Sequence, residues 1–215
     1  MHPDVLKNCP LFHKIPDSAL SYLLEELRAY SRAYPKESWV AREGKCLQEI
    51  GVLLSGRLQL SQDDLDGNRM LLDTLEPSDI FGEVFALHPN TTLPIDIQAI
   101  QDTEILWLPV SDLLSSPSST QIIHNLLQIL AEKNLHLRNR IHILSARSLR
   151  QKLLRYFHEI AHKQQSSIIR LPHDRQGLAD VLCVDRSALS RELSRMREEG
   201  ILDYDRSLIH LKQFH

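Results

Sequence analysis

The sequence predicts an α+β chain in three successive parts: an antiparallel, many-stranded β domain, a long helix, and a helix–turn–helix followed by a hairpin wing. Three observations predict it. Between Ser31 and Val110, short apolar runs alternate with turn signals. From Thr120 to about Ala146 the chain has neither glycine nor proline. Near the C-terminus, two amphipathic segments with good capping residues flank the tight turn Cys183-Val184-Asp185.

The elements follow in order. "DSALSYLLEELRA", Asp17–Ala29, reads as a short amphipathic helix capped by Asp17. The β region holds the runs "WVA", "EIGVLLSGRLQLSQ", "MLLDTL", "IFGEVFAL", "IDIQAI" and "TEILWLP". Pro35, Gly44, Gly56, "DLDGN", "EPSD" and "HPNTTLP" separate them. Asp66–Asn68, "DGN", is a strong hairpin signal. Many short strands with frequent turns mean an antiparallel barrel or sandwich.

In the long helix, apolar residues fall at Ile123, Leu127, Leu130, Leu137, Ile141 and Leu144. From Leu127 the spacing is a heptad seam if Asn134 is counted at an a-type position. A seam needs a partner, and the same helix of a second chain fits best. A buried asparagine there favours a two-stranded, in-register pair. The alternative is that this face packs on its own barrel.

"SARSLRQKLLRYFHEIAHKQQSS", Ser145–Ser167, carries a stripe of Leu149, Leu153, Leu154, Phe157 and Ile160. Its Arg147, Arg150, Lys152 and Arg155 either touch phosphates or are solvated. "SSIIRL" then reads as a short strand. Asp174 caps a helix with the stripe Leu178, Val181 and Leu182. After the turn, Asp185 caps a second helix whose Leu189, Leu193 and Met196 form a core stripe.

The opposite face of that helix holds Ser187, Ser190, Arg191 and Ser194, flanked by Arg186, Arg195 and Arg197. Small serines allow another surface to come close, and arginine can pair with guanine in a DNA major groove. Gly200 ends the helix. Ile201-Leu202 and Leu208–Leu211, separated by "DYDRS", form a β-hairpin wing. Cys183 stands where such turns often use glycine, so a positive φ there would be strained.

Composition agrees. The 215 residues are 42% hydrophobic, enough for real cores. No run of 18 apolar residues exists, so no membrane helix is expected. "MHPDVLKNCPLF" lacks the pattern of a secretory signal. The 3 cysteines, Cys9, Cys46 and Cys183, form no CxxC and fit a reducing, cytoplasmic setting. Net charge is −3, unevenly spread. Residues 1–144 hold 12 Lys+Arg against 19 Asp+Glu, while residues 145–215 hold 13 against 9. A basic C-terminal part on an acidic chain points to a polyanion partner for that part.

The order of parts, with "EIGVLLSGRLQL", "DGNRMLLDTLEPSDIFGEVFAL" and "LADVLCVDRSALSRELSRMREEGIL", resembles the cAMP-receptor/Fnr (Crp/Fnr) family of bacterial transcription regulators along nearly the whole chain. The resemblance implies a β-roll sensing domain over 1–116, a dimerisation helix over 117–146, and a winged helix–turn–helix over 147–215. It implies a homodimer on double-stranded DNA with a two-fold operator, RNA polymerase as a further partner, and a small-molecule effector in the roll. Arg186, Ser187, Ser190, Arg191 and Ser194 become the DNA-facing set. Many relatives have a glutamate that reads cytosine at the Ser187 position, so base preference there is open. Arg191 is the expected guanine contact.

By the same analogy the effector pocket is lined by Gly82, Glu83, Val84, Leu93, Pro94, Ile95, Lys133, Asn134 and Leu137. Cyclic-nucleotide binders follow Gly-Glu with Arg-Ser or Arg-Thr for the phosphate, and here that pair falls on Leu93-Pro94. The phosphate would lose charge-assisted bonds of roughly 1.5–3 kcal/mol each. Pro94 has no amide donor, and Asp96 would repel the anion. cAMP is therefore not expected, and an organic, aromatic or anionic ligand is, with Lys133 able to pair with a carboxylate. Relatives commonly have a glycine near Glu37, so the turn "YPKESW" is expected to differ.

Cys9 and Cys46 cannot supply an iron–sulfur cluster's four thiolates. No cofactor is fixed by the sequence. Haem stays open through His88, His124, His136 or His142, as does a thiol switch at Cys46 or Cys9. A ligand-sensing adaptor that does not bind DNA is the other reading. Catalysis is not expected: there is no nucleophile elbow, P-loop or HExxH, and Asp63-Asp64 and Glu198-Glu199 sit in loop and helix-end contexts.

Overall fold

The computed structural model describes residues 3–63, 69–88 and 90–212. It comprises two compact units, Met1–Ala131 and Glu132–His215.

The first unit opens with α1 (Pro3–Asn8), a 3-10 turn (Pro10–Phe12) and α2 (Asp17–Glu26). Pro16, not Asp17, is the N-cap of α2. Asp17 instead lies in the first helical turn, where a carboxylate suits the helix dipole, and pairs with Lys7 at 2.7 Å. The helix also stops three residues before Ala29, and Arg28 takes φ 51°.

Among the described residues eight strands follow: β1 (Tyr30–Tyr34), β2 (Trp39–Ala41), β3 (Glu49–Ser55), β4 (Leu58–Asp63), β5 (Arg69–Leu75), β6 (Ile80–Phe81), then α3 (Glu83–Leu87), β7 (Asp96–Ala99) and β8 (Thr103–Pro109). They form two antiparallel sheets, β1-β8-β3-β6 and β2-β7-β4-β5. The expected Asp66–Asn68 turn lies outside the described residues, but the strands around it pair from Asp63 and Arg69 onward.

β3 and β8 are apolar on both faces because both faces are covered. Ile50, Val52, Leu54, Leu106 and Leu108 pack with Leu6, Leu11 and Leu23 from the N-terminal helical segments. Leu53, Ile105 and Trp107 point the other way, into a core with Tyr34, Phe81, Leu93 and Ile97. Gly51 leaves room for the Phe81 ring, which would lie 2.3 Å from an added Cβ. The apolar run Ile80–Leu87 is not one element. It breaks at Gly82, whose φ of 78° turns a two-residue strand into α3.

The turn at Glu37 keeps a left-handed backbone without glycine. Glu37 has φ 69°, and its N–H donates to Ala99 O at 2.7 Å. The backbone bond holds it against the side-chain strain.

α4 (Val110–Ser115) leads to α5 (Thr120–Leu144), the expected long helix. Within the first unit, α5 buries Ile122 and Leu126, which the heptad reading passed over. Asn125, 2% exposed, donates to Leu11 O (2.9 Å) and His13 O (2.8 Å). Ile123 and Leu130 pack partly on the same core, whereas Leu127 is 61% exposed.

In the second unit, α5 leaves Asn134, Leu137 and Ile141 exposed and Leu144 half-buried, and buries Ile143. Then come α6 (Leu149–Gln164), β9 (Ile168–Arg170), α7 (Arg175–Leu182), α8 (Arg186–Glu198), β10 (Leu202–Asp205) and β11 (Leu208–Leu211). β9 joins the wing as its third antiparallel strand, in the order β10-β11-β9. One core unites Leu153, Phe157, Leu178, Leu189, Leu193, Met196 and Ile209.

Candidate nucleic-acid interface and sensing roll

α7 and α8 owe their geometry to two carboxylate caps and one strained turn. Asp174 accepts from Gly177 N at 2.8 Å. Asp185 accepts from Ser187 N at 2.9 Å and Ala188 N at 3.0 Å. Between the helices Cys183 is left-handed, φ 52° and ψ 55°, as glycine would be. Its N–H reaches Asp180 O, and Val184 N reaches Ala179 O, which closes α7.

Leu189, Leu193 and Met196 are fully buried. That turns Arg186, Ser187, Ser190 and Arg191 outward, and all four are exposed. Ser194 is half-buried and shares a 3.3 Å hydrogen bond with the Tyr204 hydroxyl of the wing. The Tyr204 ring also lies between Arg175 (4.6 Å) and Arg197 (4.8 Å). Cation–π contacts thus tie the wing to both helices. Burial lowers the pKa of Arg175, and among the described residues its Nη1 has no hydrogen-bond partner.

Three basic residues of α6 make bonds within the second unit. Arg150 pairs with Glu192 at 2.6 Å and grips Glu199 with two bonds, 2.6 and 2.9 Å. Arg150 holds the Glu199 carboxyl below its usual range. Lys152 donates to Leu182 O at 3.1 Å, and Arg155 donates to His142 O. Arg147, just before α6, is exposed.

In the first unit the analogy-derived pocket residues divide. Glu83 is 3% exposed, and Leu93, 1% exposed, lies inside the roll's core. Ile95 is half-buried against that core, whereas Val84 and Pro94 are exposed. Lys133, Asn134 and Leu137 belong to the second unit, where all three are exposed.

Asp96 is not a bare repelling charge. It accepts from Arg42 Nε (3.2 Å) and Glu43 N (2.8 Å), and Arg69 lies 3.7 Å away. Both arginines lie over the Trp39 ring, at 4.5 and 5.0 Å. Sequence reasoning missed this cluster because its members come from β2 and the turn after it, from β5 and from β7, far apart in the chain. Trp107 is 4% exposed in the roll's core, and among the described residues its Nε1 has no hydrogen-bond partner.

The open cofactor candidates are dispersed. His88 Nδ1 is 2.6 Å from Thr91 Oγ1, and with Cys46 it lines a cleft of ≈ 300 Å³. His124, His136 and His142 are exposed. Burial pushes the Cys9 thiol up to about 11, the opposite of a reactive low-pKa cysteine. Cys46 and Cys183 are exposed. Among the described residues no helix is long and apolar enough to cross a membrane.

Residues 31–116 match the cyclic nucleotide-binding domain family, and residues 151–215 match the Crp-like helix-turn-helix domain. The chain is 26% identical over 202 residues to the cyclic AMP receptor protein of Thermus thermophilus, covering 92% of this chain and 89% of that one. It is 22% identical over 211 residues to the transcriptional activator protein FnrL of Cereibacter sphaeroides, covering 91% and 82%. The crystal structure of the Thermus thermophilus catabolite activator protein superposes with a TM-score of 0.53 at 23% identity, over 94% of this chain and 93% of that one. OCPA-complexed CprK superposes at 0.61 with 20% identity, over 90% and 89%. A cyclic nucleotide-binding-type roll, a long helix and a Crp-like helix–turn–helix in this order make the chain a member of the Crp/Fnr family of DNA-binding transcription regulators.

Proposed function

We propose that this regulator works as a homodimer on a two-fold operator, reads DNA with α8 of each copy, and answers to a small, largely apolar molecule that is not cAMP. The observation that carries the dimer is the seam on α5. Leu127, Leu137 and Ile141 are 61%, 61% and 67% exposed on a helix whose other side already uses Ile122 and Leu126. Covering each such side chain contributes about 1.5–3 kcal/mol. Asn134 stands in the seam, where one polar residue favours a two-stranded pair. A two-fold protein in turn suits two half-sites one helical turn apart.

The effector reading rests on chemistry at the roll. Neither Leu93 nor Pro94 is a cation, Pro94 has no amide donor, and the Leu93 N–H is already taken by Lys45 O at 2.8 Å. The nearby Arg42 and Arg69 are engaged by Asp96. A cyclic phosphate would therefore enter without its charge partners. The fold does not dictate the signal. Its neighbours include a c-di-GMP responsive regulator, CLP of Xanthomonas campestris, and CprK complexed with OCPA. A curated relative in Mycobacterium tuberculosis is a cAMP-activated regulator.

The test uses the full-length protein. Sedimentation reads the dimer, selection from a random duplex pool reads the operator, and a thermal-shift screen reads the effector. The screen contains cAMP, cGMP, haem and a panel of aromatic and aliphatic acids. A rise in the melting midpoint with an apolar acid and none with cAMP is expected. A rise with cAMP overturns the effector reading, and failure to enrich any sequence overturns DNA reading by α8. The Trp39→Phe variant leaves Trp107 as the only tryptophan, so its emission reports directly on the roll's core.

A further inference from the structure

We propose that Ser187 reads the operator as a hydrogen-bond acceptor, so that it selects an amino-bearing base, adenine or cytosine, over guanine or thymine on the strand it faces. This rests on the reading in which α8 lies in the major groove. A serine hydroxyl has one proton and two lone pairs. Ser187 gives its proton away within its own helix cap, with Oγ 2.5 Å from Asp185 Oδ1. That separation is the charge-assisted kind, shorter and stronger than a neutral bond. The same carboxylate oxygen takes the Ser187 and Ala188 amides at 2.9 and 3.0 Å. The bonds from Ser187 and Ala188 hold the Asp185 carboxyl below its usual pKa, so it stays an anion at neutral pH.

The consequence is a fixed polarity. Turning the hydroxyl proton toward DNA would break the charge-assisted bond and leave the cap weaker. What an approaching base meets is the lone pairs of Oγ on an exposed residue. In the major groove, adenine N6 and cytosine N4 donate, whereas guanine O6 and N7 and thymine O4 accept. An acceptor therefore finds a partner on the amino bases and a lone-pair clash on guanine O6 and thymine O4. Arg186 and Arg191 beside it carry donors only. The start of α8 thus presents one acceptor between two donor side chains, and the base that was open at Ser187 becomes an amino base.

The experiment is selection of the full-length protein, its Ser187→Ala variant and its Asp185→Gly variant on a random duplex pool, followed by sequencing. Glycine caps a helix almost as well as aspartate, and circular dichroism checks that both variants fold. The position read by Ser187 is the one whose preference flattens in Ser187→Ala. For the natural chain, adenine or cytosine is expected there at about five-fold or more over guanine and thymine, the weight of a single good base contact. Asp185→Gly frees the proton, so the amino preference is expected to fall toward one while the other positions keep theirs. Guanine or thymine at that position, no position changed by Ser187→Ala, or an intact preference in Asp185→Gly each overturns the assignment. If the natural chain enriches no sequence at all, it is the groove reading itself that fails, and the assignment goes with it.

Discussion

At the residue scale, the sharpest feature is the left-handed turn at Cys183. A non-glycine residue with φ 52° and ψ 55° carries steric strain of roughly 1–2 kcal/mol. Glycine removes that strain but makes the unfolded chain more flexible. The side chain is exposed, so little packing is lost. Cys183→Gly is therefore expected to stabilise the second unit by about 0.5–1 kcal/mol, read as a higher urea midpoint at unchanged m. An unchanged or lower midpoint would mean that the thiol makes a contact worth as much as the strain. The position was legible in the sequence because turn geometry between two capped helices demands a particular backbone conformation. The left-handed Glu37 was not, since the bond that holds it comes from Ala99, far away in the chain.

At the scale of elements, periodicity found the long helix but only one of its faces. The heptad count stopped at the seam, while Ile122, Asn125 and Leu126 occupy the neighbouring stripe and pack on the first unit's core. Two stripes on one helix look like a loose apolar pattern until a partner is known for each. Short pieces were harder still. α1 has 6 residues and the 3-10 turn has 3, too few for any period to register. The recognition helix, in contrast, was legible down to its cap, because its buried stripe, polar face and capping carboxylate all lie within one segment.

Asn125 joins these two lessons, since its side-chain amide satisfies two carbonyls of the N-terminal segment. Asn125→Ala strands Leu11 O and His13 O and leaves a void. A loss of about 2–3 kcal/mol is expected from the unpaired groups and the cavity. Chemical denaturation checks it, and a loss under about 0.5 kcal/mol, within the range of an ordinary surface change, would mean water replaces the amide without penalty.

At the scale of the whole molecule, dimerisation and DNA binding become one measurement. Replacing Leu137 and Ile141 together by glutamate sets like charges against one another in the proposed seam, at residues that are exposed in the single chain. Folding of one chain should therefore be untouched, while the dimer separates at micromolar concentrations in sedimentation. Each separated copy keeps its own α8 and its own cap, so half-site contacts survive. What is lost is the second half-site held at high effective concentration, which is worth about 10²–10⁴-fold in affinity for a full operator. Salt dependence gives an independent check. The slope of log K against log salt is about −0.9 per phosphate neutralised, so a monomer touching half the phosphates should show half the slope of the dimer. Weaker binding at an unchanged slope would point to damage in the reading head, and unchanged affinity would mean the two copies meet somewhere other than the seam. Halving of the slope together with loss of affinity ties the exposed leucines of α5 to the arginines of α8 through two-fold geometry alone, with no contact between the two sets of residues required.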